Sequence, residues 1–199
     1  MKKLLMLTAL VAAFAVNAAA ESPIKLSLYD NIAWPKTNNA NIVLGLIDSN
    51  TPTVKGVALT IGSTRVDDLT GLSWAWIYTR TNNLTGVQWG GLYHVTNDAT
   101  GVTGGFVNHN KGNLTGVQFG FVNIAKELTG VQLSLVNVAV NVKGAQLGYF
   151  FNYTERLTGL QLGLVNYVKN IDKGLQIGLV NIINNNGWLP VMIIVNGRF

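Results

Sequence analysis

His94 and His109 are the two histidines of the chain, 15 residues apart. On neighbouring strands of a parallel stack they would lie one strand spacing, about 5 Å, apart and could form half of a metal site. The rest of the site is missing, because the chain has no cysteine and no carboxylate shares the histidines' place in the pattern. Paired catalytic carboxylates would have to come from two turns of one rim, and Asp67-Asp68, the one close pair among nine acidic residues, reads as a surface turn. None of the serines Ser22, Ser27, Ser49, Ser63, Ser73 and Ser134 sits in a nucleophile elbow, and the glycines do not open a helix as a phosphate-cradling loop must. The residues therefore predict a protein that is not an enzyme, with no catalytic residue, cofactor or metal.

The glycines mark the organisation instead. Gly56, Gly71, Gly86, Gly101, Gly116, Gly130, Gly144, Gly159 and Gly174 recur every 14 or 15 residues, each opening a unit such as the GVQFGFVN of Gly116 to Asn123. A fixed period means that one small unit is stacked or rolled into a larger body. Counting each glycine as position 0, positions 1, 3 and 5 are apolar, as in Val117, Phe119 and Phe121 or Leu160, Leu162 and Leu164. Position 2 is usually glutamine and position 4 usually glycine. That alternation predicts a strand with one buried face. The polar remainder, for example Thr79 to Asn83 or Thr154 to Arg156, reads as a turn, and the asparagine often found at position 7 as a strand end.

Asn41 to Ile47 fits one more repeat in phase, while Ile24 to Tyr29 and Pro190 to Phe199 read as irregular first and last strands. The expectation is an all-β fold, a closed antiparallel barrel of about 12 short strands built from single-strand repeats of 14–15 residues. A parallel β-solenoid with one coil per repeat is the alternative, and it explains the single-strand period more directly, with Gln and Asn ladders in register. A transmembrane barrel would use the same strands with the apolar face turned to lipid.

Size compensation along the rows favours an apolar interior. Gly91 stands between Trp76 and Phe106, and Gly104 between Trp89 and Phe119. A packed interior needs such compensation and lipid does not. Trp74, Trp76, Trp89, Phe106, Phe119 and Phe121 are then the candidate lining of a core or of an apolar-ligand site. Val191, Ile193, Val195, Gly197 and Phe199 alternate up to a terminal phenylalanine, an ending that resembles the assembly signal of bacterial outer-membrane barrels.

Lys2 and Lys3, the apolar run Leu4 to Val16 and Ala18-Ala19-Ala20 compose an export signal, with cleavage expected between Ala20 and Glu21. The domain reading is a cleaved signal peptide over 1–20 and one β-repeat domain over 21–199. Loss of the two lysines takes the net charge from +5 to +3, too mild and too evenly spread for nucleic acid. Charged residues make up 12% of the chain, about half the usual share, which suits an exported all-β protein or a membrane barrel.

The recurring GVQxGxVN and GLQxGLVN units (Gly116 to Asn123, Gly159 to Asn166, Gly174 to Asn181) resemble the bacterial surface-repeat family. The resemblance implies an exported protein and a shallow barrel of hairpin petals, and carries no catalytic or binding residue. The expected function is a non-enzymatic envelope or surface repeat protein with a structural or interaction role. The alternatives are an apolar ligand, lipid or acyl chain, held in the barrel mouth, and an outer-membrane pore. The expected location is the envelope of a Gram-negative-type bacterium, at the outer membrane or surface or else in the periplasm, with the envelope membrane or an apolar ligand as partner.

Overall fold

The computed structural model describes residues 22–30 and 32–199, so the expected signal peptide and the Ala20–Glu21 cleavage point lie outside the described residues. Every regular element among the described residues is a strand: β1 (Ser22–Tyr29), β2 (Ile32–Trp34), β3 (Asn39–Gly45), β4 (Asp48–Thr60), β5 (Ser63–Ala75), β6 (Tyr78–Gly90), β7 (Tyr93–Leu162), β8 (Val165–Asn185) and β9 (Val191–Arg198). β7 runs for 70 residues because the backbone stays extended as it winds through several coils.

Successive repeats pair in parallel with their glycines in register: Gly56 beside Gly71, Gly71 beside Gly86, Gly86 beside Gly101, and Gly159 beside Gly174. The chain is thus a parallel β-solenoid with one coil per repeat. This corrects the antiparallel barrel of about 12 strands. Among the described residues antiparallel pairing occurs only at the two ends, where β2 folds back on β1 and β9 on β8. The reason lies in the period, since up and down strands of a meander meet different rims and would impose alternation between odd and even repeats. Here every repeat meets the same environment, its own copy above and below. β3 joins the stack in phase, with Gly45 beside Thr60 at position 4.

Each coil holds two strands rather than a strand and a turn. The polar segments Thr79 to Asn83 and Thr154 to Arg156 are themselves paired in parallel ladders. The second strand faces the first across a thin interior, which the position-2 glutamines span: the Nε2 of Gln161 donates to the Tyr167 carbonyl at 3.2 Å and that of Gln176 to the Ile182 carbonyl at 3.1 Å. The repeat glycines form the corner between coils, with φ from +133° to +149°. A Cβ at Gly116 would lie 2.0 Å from the Gly101 carbonyl oxygen, so the corner admits only glycine in this conformation.

The interior inverts the strand orientation expected from the sequence. Positions 2 and 4 point inward, and positions 1, 3 and 5 point out. Gln88, Gln118, Gln132, Gln146, Gln161 and Gln176 are fully buried, while Trp76 is 59% exposed and Phe121 50%. The hydrophobic core comes from the other strand, as a row of Val54, Leu69, Leu84, Ala99, Leu114, Leu128, Val142, Leu157 and Ile171. Trp74, Trp76, Trp89, Phe106, Phe119 and Phe121 are therefore surface residues, not core lining.

Candidate functional site: an apolar sheet face

The face exists because the interior can afford amides. Buried polar groups are tolerated only when bonded, and stacking identical amides one strand spacing apart meets that condition coil after coil. Gln132 donates to Gln118, Gln146 to Gln132, Gln161 to Gln146 and Gln176 to Gln161, at 2.7 to 2.9 Å. A second ladder runs Asn108, Asn123, Asn137, Asn152, Asn166, Asn181, each Nδ2 donating to the next Oδ1 at 2.8 to 3.2 Å. The two ladders point in opposite directions along the solenoid. Asn108, Asn123, Asn152 and Asn166 also donate to the carbonyl at position 3 of the next coil, tying the ladder to the first strand. Glycine at position 4 makes the room, since a Cβ at Gly120 would meet Asn108 Nδ2 at 2.6 Å and one at Gly178 would meet Asn166 Nδ2 at 2.6 Å. The position-7 asparagines are thus interior residues and not strand ends.

With glutamine and glycine turned in, alternation turns the apolar residues out. The middle row of the outer face reads Leu26, Leu44, Leu59, Trp74, Trp89, Gly104, Phe119, Leu133, Leu147, Leu162 and Ile177, following the parallel pairings from β1 through β3 and the nine repeats. Rows of the same character flank it, from Ile24, Ile42 and Val57 to Leu175, and from Leu28 and Leu46 to Leu179. No charged residue stands at positions 1, 3 or 5 of any repeat. Eleven rungs at about 4.8 Å and a five-residue width make a face on the order of 50 Å by 15 Å, roughly 750 Å². Monomeric soluble proteins seldom leave so large an apolar patch uncovered.

Four of the six aromatics expected to line a site do come together. A cleft of about 590 Å³ opens on the face, with Trp89 and Phe119 on one wall, Phe106 and Phe121 on the other, and Gly90, Gly105 and Gly120 along its floor. The walls are ring pairs, Trp89 with Phe119 at 4.5 Å and Phe106 stacked on Phe121 at 4.4 Å. The gap at Gly104 is filled from both sides, for a Cβ there would lie 2.5 Å from the Phe119 ring and 2.9 Å from the Trp89 ring. The compensation expected at Gly104 is present, but it shapes a surface, while at Gly91 a Cβ would meet the Trp76 backbone carbonyl at 1.8 Å rather than a ring. Trp74 and Trp76 meet edge to face at 5.8 Å and stand outside the cleft.

The ionisable groups lie elsewhere. Arg65 on the opposite strand is held between Asp30, at 3.0 Å, and Asp48, and these carboxylates raise its pKa. Lys25 is buried, donates to the Thr37 and Asn50 carbonyls at 3.1 and 2.6 Å, and has its pKa lowered by burial, with Asp30 opposing. His94 and His109 do not pair. His94 points inward and contacts the Thr79 hydroxyl at 2.5 Å, in the interior row that continues as the Asn ladder. The corner of the Gly101 coil is one residue tighter, so Asn108 rather than His109 follows His94 into the interior. His109 lies on the outer side, 3.2 Å from the Tyr93 hydroxyl. Burial lowers both histidine pKa values, and at His94 a backbone hydrogen bond with Gly90 opposes the shift. Among the described residues no three His, Cys, Asp or Glu side chains gather as metal ligands.

The apolar face was legible as a pattern of positions 1, 3 and 5, yet its direction was not. The signal that could have given it is the leucine two residues before five of the nine glycines, Leu69, Leu84, Leu114, Leu128 and Leu157. No family model matches the chain, and no curated protein or solved structure matches it.

Proposed function

We propose that this is a non-enzymatic exported protein of the bacterial cell envelope, with a structural or interaction role, whose working part is the apolar sheet face. The observation that carries the reading is the division of the solenoid into two unlike sides. One side is an apolar sheet face with no charge at positions 1, 3 and 5, and the other carries Arg80, Asp98, Lys111, Lys126, Glu155 and Lys169. Ladders of identical amides suit a stiff spacer, since each coil is fixed by its neighbours. The Lys2-Lys3 and Ala18-Ala19-Ala20 signal supports export, and the Gly116 to Asn123 type of unit supports kinship with surface-repeat proteins. A pore loses its structural basis with the barrel.

A second reading rests on the cleft between Trp89, Phe106, Phe119 and Phe121, whose apolar walls and glycine floor suit a single acyl chain. It replaces the barrel mouth as the place for an apolar ligand.

Cell fractionation tests the main reading. The protein should be recovered with the envelope, and Leu133→Asp with Leu162→Asp should weaken whatever association holds it there. Recovery in the cytoplasm, or envelope association indifferent to both aspartates, would refute it.

A further inference from the structure

We propose that the apolar face is covered by a second copy of this chain, the two sheets packing face to face about a two-fold axis. The inference rests on the reading that this face is the working surface, and goes on to name its occupant.

Area is the first argument. A face of roughly 750 Å² on each copy would bury about 1,500 Å² in all, within the range of specific stable protein interfaces and well above a chance contact. The second is periodicity. Side chains stand in rungs one strand spacing apart along the whole solenoid, and a second copy offers rungs at the same spacing, so that ridges and troughs can interdigitate over the full length. Two sheets packed face to face meet at about 10 Å with interleaved side chains, as in a β-sandwich. A fluid bilayer has no such period.

Chemistry closes the case for self-recognition. The surface offers almost nothing but hydrocarbon and rings, Tyr149 being the polar exception at positions 1, 3 and 5, so its partner must be equally apolar over the same length. A two-fold pair meets that demand with one patch used twice. It leaves the charged strands outside on both flanks and the apolar rows sealed between.

The test is the mass of the purified full-length exported protein in detergent-free buffer, measured by light scattering over a hundredfold range of concentration. The proposal expects a dimer, converted to monomer by Leu133→Asp or Leu162→Asp and left intact by Lys126→Asp on the charged side. Because the chain has no native cysteine, Leu133→Cys carries a single spin label and gives a second measurement on a neutral variant. In the dimer that label should be at least tenfold less accessible to an aqueous nickel relaxer than one at Lys126→Cys. A wild-type monomer at every concentration, or a dimer indifferent to both aspartates with an accessible label, would overturn the proposal. A monomer that binds phosphatidylethanolamine–phosphatidylglycerol vesicles through Leu133 and Leu162 would overturn the second copy and leave the proposed function standing. A monomer whose envelope association also ignores these residues would sink both.

Discussion

Asn137→Ala cuts the asparagine ladder at its middle. The side chain donates to Asn152 Oδ1 at 2.9 Å and accepts from Asn123 Nδ2 at 3.2 Å and from the Ser134 hydroxyl at 2.7 Å. Asn123 keeps two other acceptors, the carbonyls of Gln118 and Leu133. Asn152 Oδ1 loses its ladder donor inside the protein, and the Ser134 hydroxyl loses its acceptor. One or two stranded polar groups at about 1–3 kcal/mol each, with a small cavity added, give a loss of about 2–5 kcal/mol, against a typical domain stability of about 5–15 kcal/mol. Asn113→Ala is the control, removing an exposed 3.0 Å bond to Asp98 and expected to cost within about 0.5 kcal/mol. Urea unfolding followed by far-ultraviolet circular dichroism and by tryptophan fluorescence reads both, two probes being needed because repeat arrays can unfold in steps. Equal midpoints for Asn137→Ala and Asn113→Ala would refute the ladder and return Asn137 to a strand end.

Leu157→Asp should abolish folding because Leu157 is fully buried in the core row, whereas Leu162→Asp on the outer face should change monomer stability by less than about 1 kcal/mol; circular dichroism melts of both decide which leucine is inside. Gly130→Ala should cost several kcal/mol or prevent folding, since its φ is +139° and a Cβ would lie 2.0 Å from the Gly116 carbonyl oxygen, while Thr129→Ala beside it should be near neutral in the same melts. His94 has its folded pKa held below the ordinary 6.5 by burial, so its neutral form contributes stability that is complete above about pH 6.5 and is lost as pH falls through the lower folded value. Urea midpoints should therefore drop between pH 7.5 and pH 5, and His94→Asn, which continues the ladder with an uncharged amide, should reduce that drop; an unchanged drop would place the acid sensitivity elsewhere.

The all-β class, the repeat boundaries and the in-phase strand over β3 were readable because hydrophobic alternation and fixed glycines are local signals. Orientation was not local. A strand of sequence Val117-Gln118-Phe119-Gly120-Phe121 is buried on its apolar side in almost any globular context. What overrides it is cooperative, because Gln118 is a poor core residue alone and a good one only when Gln132 and Gln146 lie above it in register. The same blindness made a turn of Thr154-Glu155-Arg156, although Thr154 is fully buried and stacks beside Val168. Gly104 correctly signalled that aromatic rings compete for space there, whereas at Gly91 it is the Trp76 backbone carbonyl that a Cβ would meet, and the four rings that form the cleft were all among the six named. Whether they face a core or a surface depends on the neighbouring coil.

The stacking of coils in parallel is the claim on which the outward face depends, and one double variant addresses it. Lys111 and Lys126 occupy equivalent places on the charged strand of successive repeats, the two residues following the interior neighbours Asn110 and Ala125. Stacked in parallel, they stand about one strand spacing apart, near 5 Å, within reach of a disulfide. Lys111→Cys with Lys126→Cys should therefore close an intramolecular disulfide on mild oxidation, in a chain that has no other cysteine to confuse the result. Spin labels on the same pair separated by about 20 Å or more, the length of an antiparallel strand with the two residues at opposite rims, would contradict the solenoid and the outward apolar face together.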